Sequence, residues 1–217
     1  MGASILRQLA QLGRSMLGVD EHARIFNQYY KSDAWIGGGS GSGSTPEVTA
    51  SYREFLTDFM KRHNIKSVVD IGCGDWQFSK LLDWTGIEYT GVDVSSVVLE
   101  NTIRYSKPGI KFIEMNGVTG NVIGADLLIL KDVIQHWTNN DIHRFIPNLS
   151  KFRYALITNG SHKGSNRINL ESTIGSCRPV DLTDAPFNVP GQYVFECMAD
   201  EPKITFLWSR SQQIHSR

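Results

Sequence analysis

Hydrophobic and polar residues follow two different periods along this chain. Apolar residues recur at helical spacing over residues 3–18 and again over 48–63, where Tyr52, Leu56 and Phe59 fall on one side. From residue 65 onward, short apolar runs rich in β-branched residues alternate with helical segments. The pattern predicts strands at 67–71, 89–94, 111–114, 125–130 and 154–158, a helix opening at 77–82, and helices at 95–105 and 141–149.

This alternation predicts a mostly parallel sheet with helices on both faces. Two further strands, 192–197 and 204–208, flank the turn sequence Asp200-Glu201-Pro202, which predicts an antiparallel hairpin at the sheet edge. A chain of 217 residues suits one α/β domain with appendages. We therefore predict an N-terminal helical cap and Gly/Ser-rich loop over 1–47, followed by the α/β domain over 48–217.

Composition narrows the classes of function. The 22 Lys and Arg residues balance 22 Asp and Glu residues, which argues against non-specific attraction to nucleic acid. No apolar run approaches the roughly 20 residues that a membrane helix needs, and the N-terminus lacks a signal-peptide pattern. Three widely spaced cysteines, Cys73, Cys177 and Cys197, fit a reducing cytoplasm and offer no zinc spacing. We expect a cytoplasmic protein.

The turn after the first predicted strand is the most informative stretch. Asp70-Ile71-Gly72-Cys73-Gly74 ends a buried strand in an acid and a Gly-x-Gly turn, where backbone can approach a ligand closely. Gln77 stands where a dinucleotide fingerprint has its third glycine, which disfavours a pyrophosphate ligand. Asp93 ends the second strand about 20 residues after Gly74, where an acid can hold ribose hydroxyls. Asp70 can accept a hydrogen bond from a ligand ammonium, directly or through water.

With these residues, the sequence resembles the class I S-adenosylmethionine (SAM)-dependent methyltransferases over roughly residues 48–208. Asp70 to Gly74 are similar to the first motif of that family, and Asp93 is similar to its ribose-binding acid. The resemblance implies a Rossmann-like sandwich, SAM as cofactor and S-adenosylhomocysteine (SAH) as product. The alternative is a Rossmann-like protein that has lost cofactor binding. Cofactor-binding residues are predicted at Trp35, Gly39, Gly41, Asp70, Gly72, Cys73, Gly74, Trp76, Phe78, Asp93, Val94, Asn116, Gly117, Lys131 and Asp132.

The resemblance also implies roles after the third and fourth strands. Asn116 stands where similar enzymes often carry an acid for the adenine amino group, and its side-chain oxygen can accept the same bond. A simple Asn-Gly turn explains Asn116 and Gly117 equally well. Residues 131–136 are expected beside the SAM methyl group. His136 is the candidate general base, and Asp132 is expected to orient it, bind a sugar hydroxyl or take the proton. The alternative for His136 is packing near the cofactor.

The stretch from 161 to 190 is a long irregular loop, typical of a functional segment. Its polar residues suit a polyhydroxylated or anionic acceptor, and we predict substrate binding by Asn159, Arg178 and Asp181. An ordinary solvated connection is the alternative. The absence of an Asn/Asp-Pro-Pro-Tyr/Phe signature and of a Pro-Cys nucleophile argues against methylation of nucleobases.

Five glycines within residues 37–43 resemble a linker by composition. This loop lies between a cap that includes Phe26, Tyr29, Tyr30 and Trp35 and the helix predicted at 48–63. In a methyltransferase it is expected to fold over SAM and exclude water; a passive hinge or tether is the alternative. Residues 35–44, 70–78, 131–136 and 178–187 are similar to small bacterial methyltransferases associated with sugars and other small molecules.

The leading hypothesis is a methyltransferase that uses SAM to methylate a small-molecule hydroxyl, with a sugar or glycoconjugate as the favoured acceptor. The alternatives are a non-catalytic SAM-binding scaffold and an RNA or protein methyltransferase. No nucleic-acid partner and no membrane span are expected. No spacing demands a metal, although Asp132 and Asp181 offer oxygens that suit Mg²⁺. The sequence leaves the oligomeric state open.

Overall fold

The computed structural model describes residues 20–211, so the predicted helix at 3–18 lies outside the described residues. Four α-helices are present in this range: α1 Glu21–Lys31, α2 Ala50–Arg62, α3 Ser96–Thr102 and α4 Asn139–Phe145. The strands are β1 Ser67–Ile71, β2 Glu88–Asp93, β3 Ile110–Glu114, β4 Ala125–Lys131, β5 Phe152–Gly160, β6 Gln192–Met198 and β7 Pro202–Ser209. Every predicted strand forms, with ends shifted by a residue or two.

The seven strands form one sheet in the order β3-β2-β1-β4-β5-β7-β6. Strands β1 to β5 are parallel, whereas β7 runs antiparallel to both β5 and β6. The predicted mostly parallel sheet with an antiparallel C-terminal hairpin is therefore confirmed. Because β7 is antiparallel to β5, the start of β7 lies beside the end of β5, and Lys203 pairs with Gly160. This brings the β6–β7 turn to the edge where the parallel strands end.

Successive residues of β4 show how the two faces of the sheet are covered. Leu127 packs toward Leu56 of α2, and Leu128 on the opposite face packs toward Ile142 of α4. All three leucines are fully buried, so each stabilises the fold by about 1.5–3 kcal/mol. Helices on both faces leave the strand ends as the open edge of the domain.

The helical predictions need three corrections. The helix predicted to open at 77–82 is only a 3₁₀ turn, Ser79–Leu81, because Leu82 takes an extended conformation that ends it. The helix predicted at 95–105 ends at Thr102 and continues as the 3₁₀ turn Ile103–Tyr105. The helix predicted at 141–149 starts earlier, after the N-cap Thr138. It becomes 3₁₀ over Ile146–Lys151, where Pro147 has no N–H to donate.

Helix α1 belongs to the predicted N-terminal cap and packs on the sheet domain. Asp20 caps it by accepting from Ala23 N at 3.1 Å. Asn27 Oδ1 then accepts from Ser95 Oγ at 2.7 Å and from Val97 N at 3.3 Å. These bonds hold α1 against the start of α3, beside the open edge of the sheet. No helix within residues 20–211 has the length and apolar character that a bilayer crossing requires.

Candidate functional site

A cavity of about 430 Å³ lies at the carboxyl edge of the sheet. Gly72 follows β1, Asp93 ends β2, and Asp132 follows β4. The cavity therefore runs across three neighbouring strand ends and reaches the start of β7. Its lining comprises His22, Phe26, Tyr30, Ala34, Trp35, Ile36, Ser40, Gly41, Ser42, Gly43, Ser44, Ile71, Gly72, Asp93, Val94, Met115, Asn116, Gly117, Lys131, Asp132, Val133, Gln135, His136, Trp137, Cys177, Asp200, Glu201 and Lys203.

The turn after β1 requires glycine at two positions. Gly72 has φ +76°, and a Cβ there would lie 2.4 Å from Val133 Cγ2. Gly74 has φ +55°, and its Cβ would lie 2.1 Å from Ser40 Oγ. Its N–H donates to Asp93 Oδ2 at 2.9 Å. The turn thus brings bare backbone to the cavity and also fixes the acid at the end of β2.

Asp93 is buried but keeps capacity to bind a ligand. Its Oδ1 accepts from Ser95 N and its Oδ2 from Gly74 N, both at 2.9 Å. Each carboxylate oxygen retains a further lone pair. Burial raises the pKa of Asp93 to about 6, although the backbone N–H groups of Ser95 and Gly74 favour the ionised form. At neutral pH the carboxylate can accept charge-assisted bonds from two hydroxyls.

Asn116 lines the cavity beside Gly117, and its amide holds a turn. Oδ1 accepts from Val118 N at 2.8 Å, while Nδ2 donates to Asp20 Oδ2 at 2.9 Å. The oxygen that was expected to meet an adenine amino group therefore already supports the turn after β3. One lone pair of this oxygen remains for a ligand only if the weaker 3.3 Å bond from Thr119 N yields.

Two lysines hold Asp132 from either side. Lys131 Nζ lies 2.5 Å from Asp132 Oδ2, and Lys203 Nζ lies 2.8 Å from Asp132 Oδ1. Burial alone would raise the pKa of Asp132, but the two ammonium groups bring that pKa below its ordinary value. Asp132 therefore stays ionised and is a poor proton acceptor.

His136 offers a basic nitrogen in the cavity wall. Nδ1 lies 3.1 Å from the Ser176 carbonyl, so Nδ1 carries the proton. Gln135 Oε1 accepts from Gly160 N, which turns the Gln135 amide nitrogen toward His136 Nε2 at 3.4 Å. Nε2 is therefore an acceptor. Burial lowers the pKa of His136, partly offset by the Ser176 carbonyl, so the ring is neutral at pH 7.

The glycine-serine loop, residues 37–44, covers the cavity. Ser40 Oγ accepts from Asp75 N at 2.9 Å, Ser42 Oγ donates to Asp200 at 2.8 Å, and the Gly43 carbonyl accepts from Lys131 Nζ at 2.8 Å. These bonds join the loop to the turn after β1, to the end of β4 and to the β6–β7 turn. Gly41 lines the cavity, whereas Gly39 lies over Asp75 outside the lining.

Aromatic residues of the cap form a second wall, which includes the predicted residue Trp35. The Trp35 ring lies 5.1 Å from His136 and 5.0 Å from Tyr29, between centroids. Phe26 of α1 approaches His136 at 6.3 Å. The cap thus supplies an apolar surface against the candidate base.

Several predicted cofactor residues lie behind the cavity and not in its lining. Asp70 accepts from Tyr89 Oη at 2.6 Å and from Ser79 Oγ at 3.2 Å, and burial raises its pKa to about 6 despite these bonds. Three others pack in the core: Cys73 near α3, Trp76 against Tyr89, and Phe78 against Tyr52. Gly74, packed against Ser40, is also outside the lining.

The predicted substrate residues Asn159, Arg178 and Asp181 also lie outside the lining. Arg178 Nε donates to the Leu170 carbonyl at 2.6 Å, and Asp181 accepts from Tyr193 Oη at 2.7 Å. Asn159 is buried in β5. The long loop is therefore tied to itself and to β6, and it reaches the cavity through Cys177.

Sequence reasoning missed the contribution of the β6–β7 turn. Asp200, Glu201 and Lys203 line the cavity, but their sequence signal was only that of a turn. Within residues 20–211, no group of three or more His, Cys, Asp or Glu side chains is placed to hold a metal ion.

No protein-family model and no curated protein matches the chain. Solved structures are similar to it. The methyltransferase domain of bacterial CtHen1-C is 19% identical with a TM-score of 0.55, over 75% of this chain and 98% of that one. Human N-acetylserotonin methyltransferase in complex with SAM is 15% identical with a TM-score of 0.56, over 76% of this chain and 53% of that one.

A third similar structure is magnesium protoporphyrin IX methyltransferase from Synechocystis PCC 6803 with bound SAH, 12% identical with a TM-score of 0.55, over 75% of this chain and 84% of that one. At identities this low, the structural similarity establishes a shared fold and nothing finer. The chain has the Rossmann-like fold of the class I SAM-dependent methyltransferases, as the sequence predicted.

Proposed function

We propose that this chain is a SAM-dependent methyltransferase whose cofactor lies across the carboxyl ends of β2, β1 and β4. The observation that carries the proposal is Asp93: a buried carboxylate at the end of β2, held by two backbone N–H groups and still able to accept from ligand hydroxyls. It faces a cavity whose volume is in the range of small-molecule sites. The shared fold supports the same placement.

The lining residues fit the parts of this cofactor. Asp93 would hold the ribose, and Val94, Met115 and Gly117 would surround the adenine. Bare backbone at Gly72 and in the glycine-serine loop would meet the amino-acid end. When bound, SAM supplies an electrophilic methyl group. Asp70 does not line the cavity, so we assign it to supporting the turn after β1.

His136 is proposed to take the proton from the acceptor hydroxyl. Its Nε2 is unprotonated at neutral pH, and Ser176 fixes the ring through Nδ1. The substrate hydroxyl would displace the long 3.4 Å bond that Gln135 donates to the single lone pair of Nε2. Asp132 is too strongly held by two lysines for this task, so we assign it to positioning Lys131 and Lys203. General-base catalysis of this kind contributes typically 10²–10⁴-fold.

The proposed acceptor is a hydroxyl of a sugar or another small glycoconjugate. The cavity supports this choice by combining the rings of Trp35 and His136 with the carboxylates of Asp200 and Glu201. The shared fold does not identify the acceptor, because the similar structures include a magnesium protoporphyrin IX methyltransferase and an N-acetylserotonin methyltransferase.

The first experiment is calorimetric titration with SAM. The wild-type chain is expected to bind it, and Asp93→Asn is expected to bind about 10–100-fold more weakly, because a charged acceptor is lost. Asp58→Asn, on the exposed side of α2, is the matched control. Equal affinity of Asp93→Asn and wild type would contradict the cofactor assignment.

The second experiment measures transfer of a labelled methyl group from SAM to a panel of sugars. His136→Asn keeps a donor for the Ser176 carbonyl but removes Nε2. We expect turnover to fall about 10²–10⁴-fold with SAM affinity unchanged. Unchanged turnover would exclude His136 as the base. SAM binding with no transfer to any acceptor would instead indicate a non-catalytic SAM-binding protein.

A further inference from the structure

The end of the cavity at the β6–β7 turn is rich in carboxylates. Lys203 Nζ lies 2.8 Å from Asp132 Oδ1, 2.9 Å from Glu201 Oε1 and 3.5 Å from Asp200 Oδ1. Lys203 donates hydrogen bonds to Asp132 and Glu201, and Asp200 adds a longer ion pair. The Lys203 ammonium is therefore buried among three carboxylates that balance its charge.

Lys131, the other cation of this cavity, is also engaged. Its Nζ donates to Asp132 and to the Gly43 carbonyl, and its side chain is only 3% exposed. Both lysines are buried, whereas the side chain of Glu201 is 50% exposed and that of Asp200 is 30% exposed. Among the described residues, nothing donates to Glu201 Oε2. The accessible charges at this end are therefore negative.

The same cavity is also lined by the aromatic rings of Trp35, His136 and Phe26. A ligand in this part of the cavity would meet the aromatic rings, the free Oε2 of Glu201 and the negative charge of Asp200, whose oxygens already accept from Ser42 Oγ and Glu201 N. An anionic group placed there would be repelled by Glu201 and Asp200, and both nearby ammonium groups are buried and already paired with carboxylates. Hydroxyl and ammonium groups would find acceptors, and either fits against an aromatic face.

We propose that Glu201 and Asp200 select an acceptor that carries hydrogen-bond donors and no negative charge at this end. Resting on the proposed function, this inference narrows the sequence-based expectation of a polyhydroxylated or anionic acceptor to its uncharged or cationic members. Arg178, the residue expected to serve an anion, is bonded to Leu170 and Asn139 outside the cavity. Glu201 is the residue that sets this specificity.

The test compares binding of three related probes to the SAH-saturated protein: a methyl hexopyranoside, its 2-amino-2-deoxy analogue and its 6-phosphate. Dissociation constants come from calorimetry or saturation-transfer NMR, so the result does not depend on turnover. We expect the neutral or the amino probe to bind at least about tenfold more tightly than the phosphate. The amino and neutral arms distinguish ammonium from hydroxyl recognition.

Two variants locate the effect. Glu201→Gln should weaken the better probe about tenfold, and Glu201→Lys should reverse the order in favour of the phosphate. Glu196 of β6 is similarly exposed but lies outside the cavity lining, so Glu196→Gln should change neither the probe affinities nor their order. Preference of the wild type for the phosphate, or no binding of the neutral and amino probes at about 10 mM, would overturn the inference. SAM titration of each variant separates this failure from a failure of the proposed cofactor.

Discussion

Asp70 and Asp93 show at the residue scale how similar surroundings produce different roles. Both are buried carboxylates at neighbouring strand ends, and burial raises both pKa values to about 6. Asp70 uses its Oδ2 for two side-chain hydroxyls behind the turn, whereas Asp93 accepts one backbone bond on each oxygen and faces the cavity. Motif and spacing identified both residues. The hydroxyl of Tyr89 that engages Asp70 could not be predicted, because it depends on the β1–β2 register.

The affinity for SAM should depend on pH through Asp93. Its carboxylate must be ionised to accept charge-assisted ribose bonds, so affinity should weaken as pH falls through about 6 and level off above neutral pH. Calorimetric titration between pH 5 and pH 8 measures this change. Below the pKa of Asp93, the dissociation constant for SAM should rise about tenfold per pH unit. Asp93→Asn should bind weakly at every pH.

Asp70→Asn is the matched control, because Asp70 has a similar pKa outside the cavity lining. This variant should keep the wild-type pH profile of SAM binding. If SAM affinity were instead independent of pH in Asp70→Asn and still pH-dependent in Asp93→Asn, Asp70 would be the residue that contacts the cofactor.

At the element scale, the glycine-serine loop is where composition was least informative. Five glycines predicted flexibility but left open whether the segment is a hinge or a cover. Its partners are Asp75, Lys131 and Asp200, which come from three segments far apart in the sequence. No local pattern contains those contacts. The strands, by contrast, were predictable because each depends on its own apolar run.

Gly41→Ala tests whether this loop covers the cofactor. Gly41 has φ +87°, so alanine there should cost about 1–2 kcal/mol in the closed loop. If SAM binds beneath the closed loop, its dissociation constant should rise about 5–30-fold in calorimetric titration. A simple hinge predicts no change in affinity.

Gly86→Ala supplies the control for backbone strain. Gly86 has φ +73°, open space around its Cβ position and no contact with the SAM cavity. It should lose similar stability in thermal unfolding while keeping wild-type affinity for SAM. Equal loss of affinity in both variants would mean that Gly41 acts through general stability alone.

At the scale of the whole molecule, the pH dependence of stability combines carboxyl groups whose pKa values are shifted in opposite directions. Asp70 and Asp93 have folded-state pKa values raised to about 6, so their contribution to stability is greatest below the unfolded pKa and declines as pH rises to about 6. Asp132, Asp141 and Asp181 have lowered pKa values, each against the effect of burial; their contribution is present above the unfolded pKa and is lost as pH falls.

Asp70→Asn should therefore stabilise the fold at pH 7. It removes a buried charge but keeps an oxygen to accept from Tyr89. We expect a gain of about 1–3 kcal/mol at pH 7, equivalent to a few degrees in Tm, and almost none near pH 4. Thermal unfolding at both pH values measures it. A loss of stability at pH 7 would show that the ionised form of Asp70 is needed for the turn.

The order of the last two strands has a consequence for biosynthesis. Strand β7 lies between β5 and β6, although β6 leaves the ribosome first. During translation, β6 therefore has no neighbour in the sheet until β7 emerges, and the cavity lacks Lys203 until the same moment. A nascent chain can assemble the parallel strands early, since amino-terminal segments emerge first. The site is therefore complete, and able to bind its ligands with all its lining residues, only after the hairpin has formed.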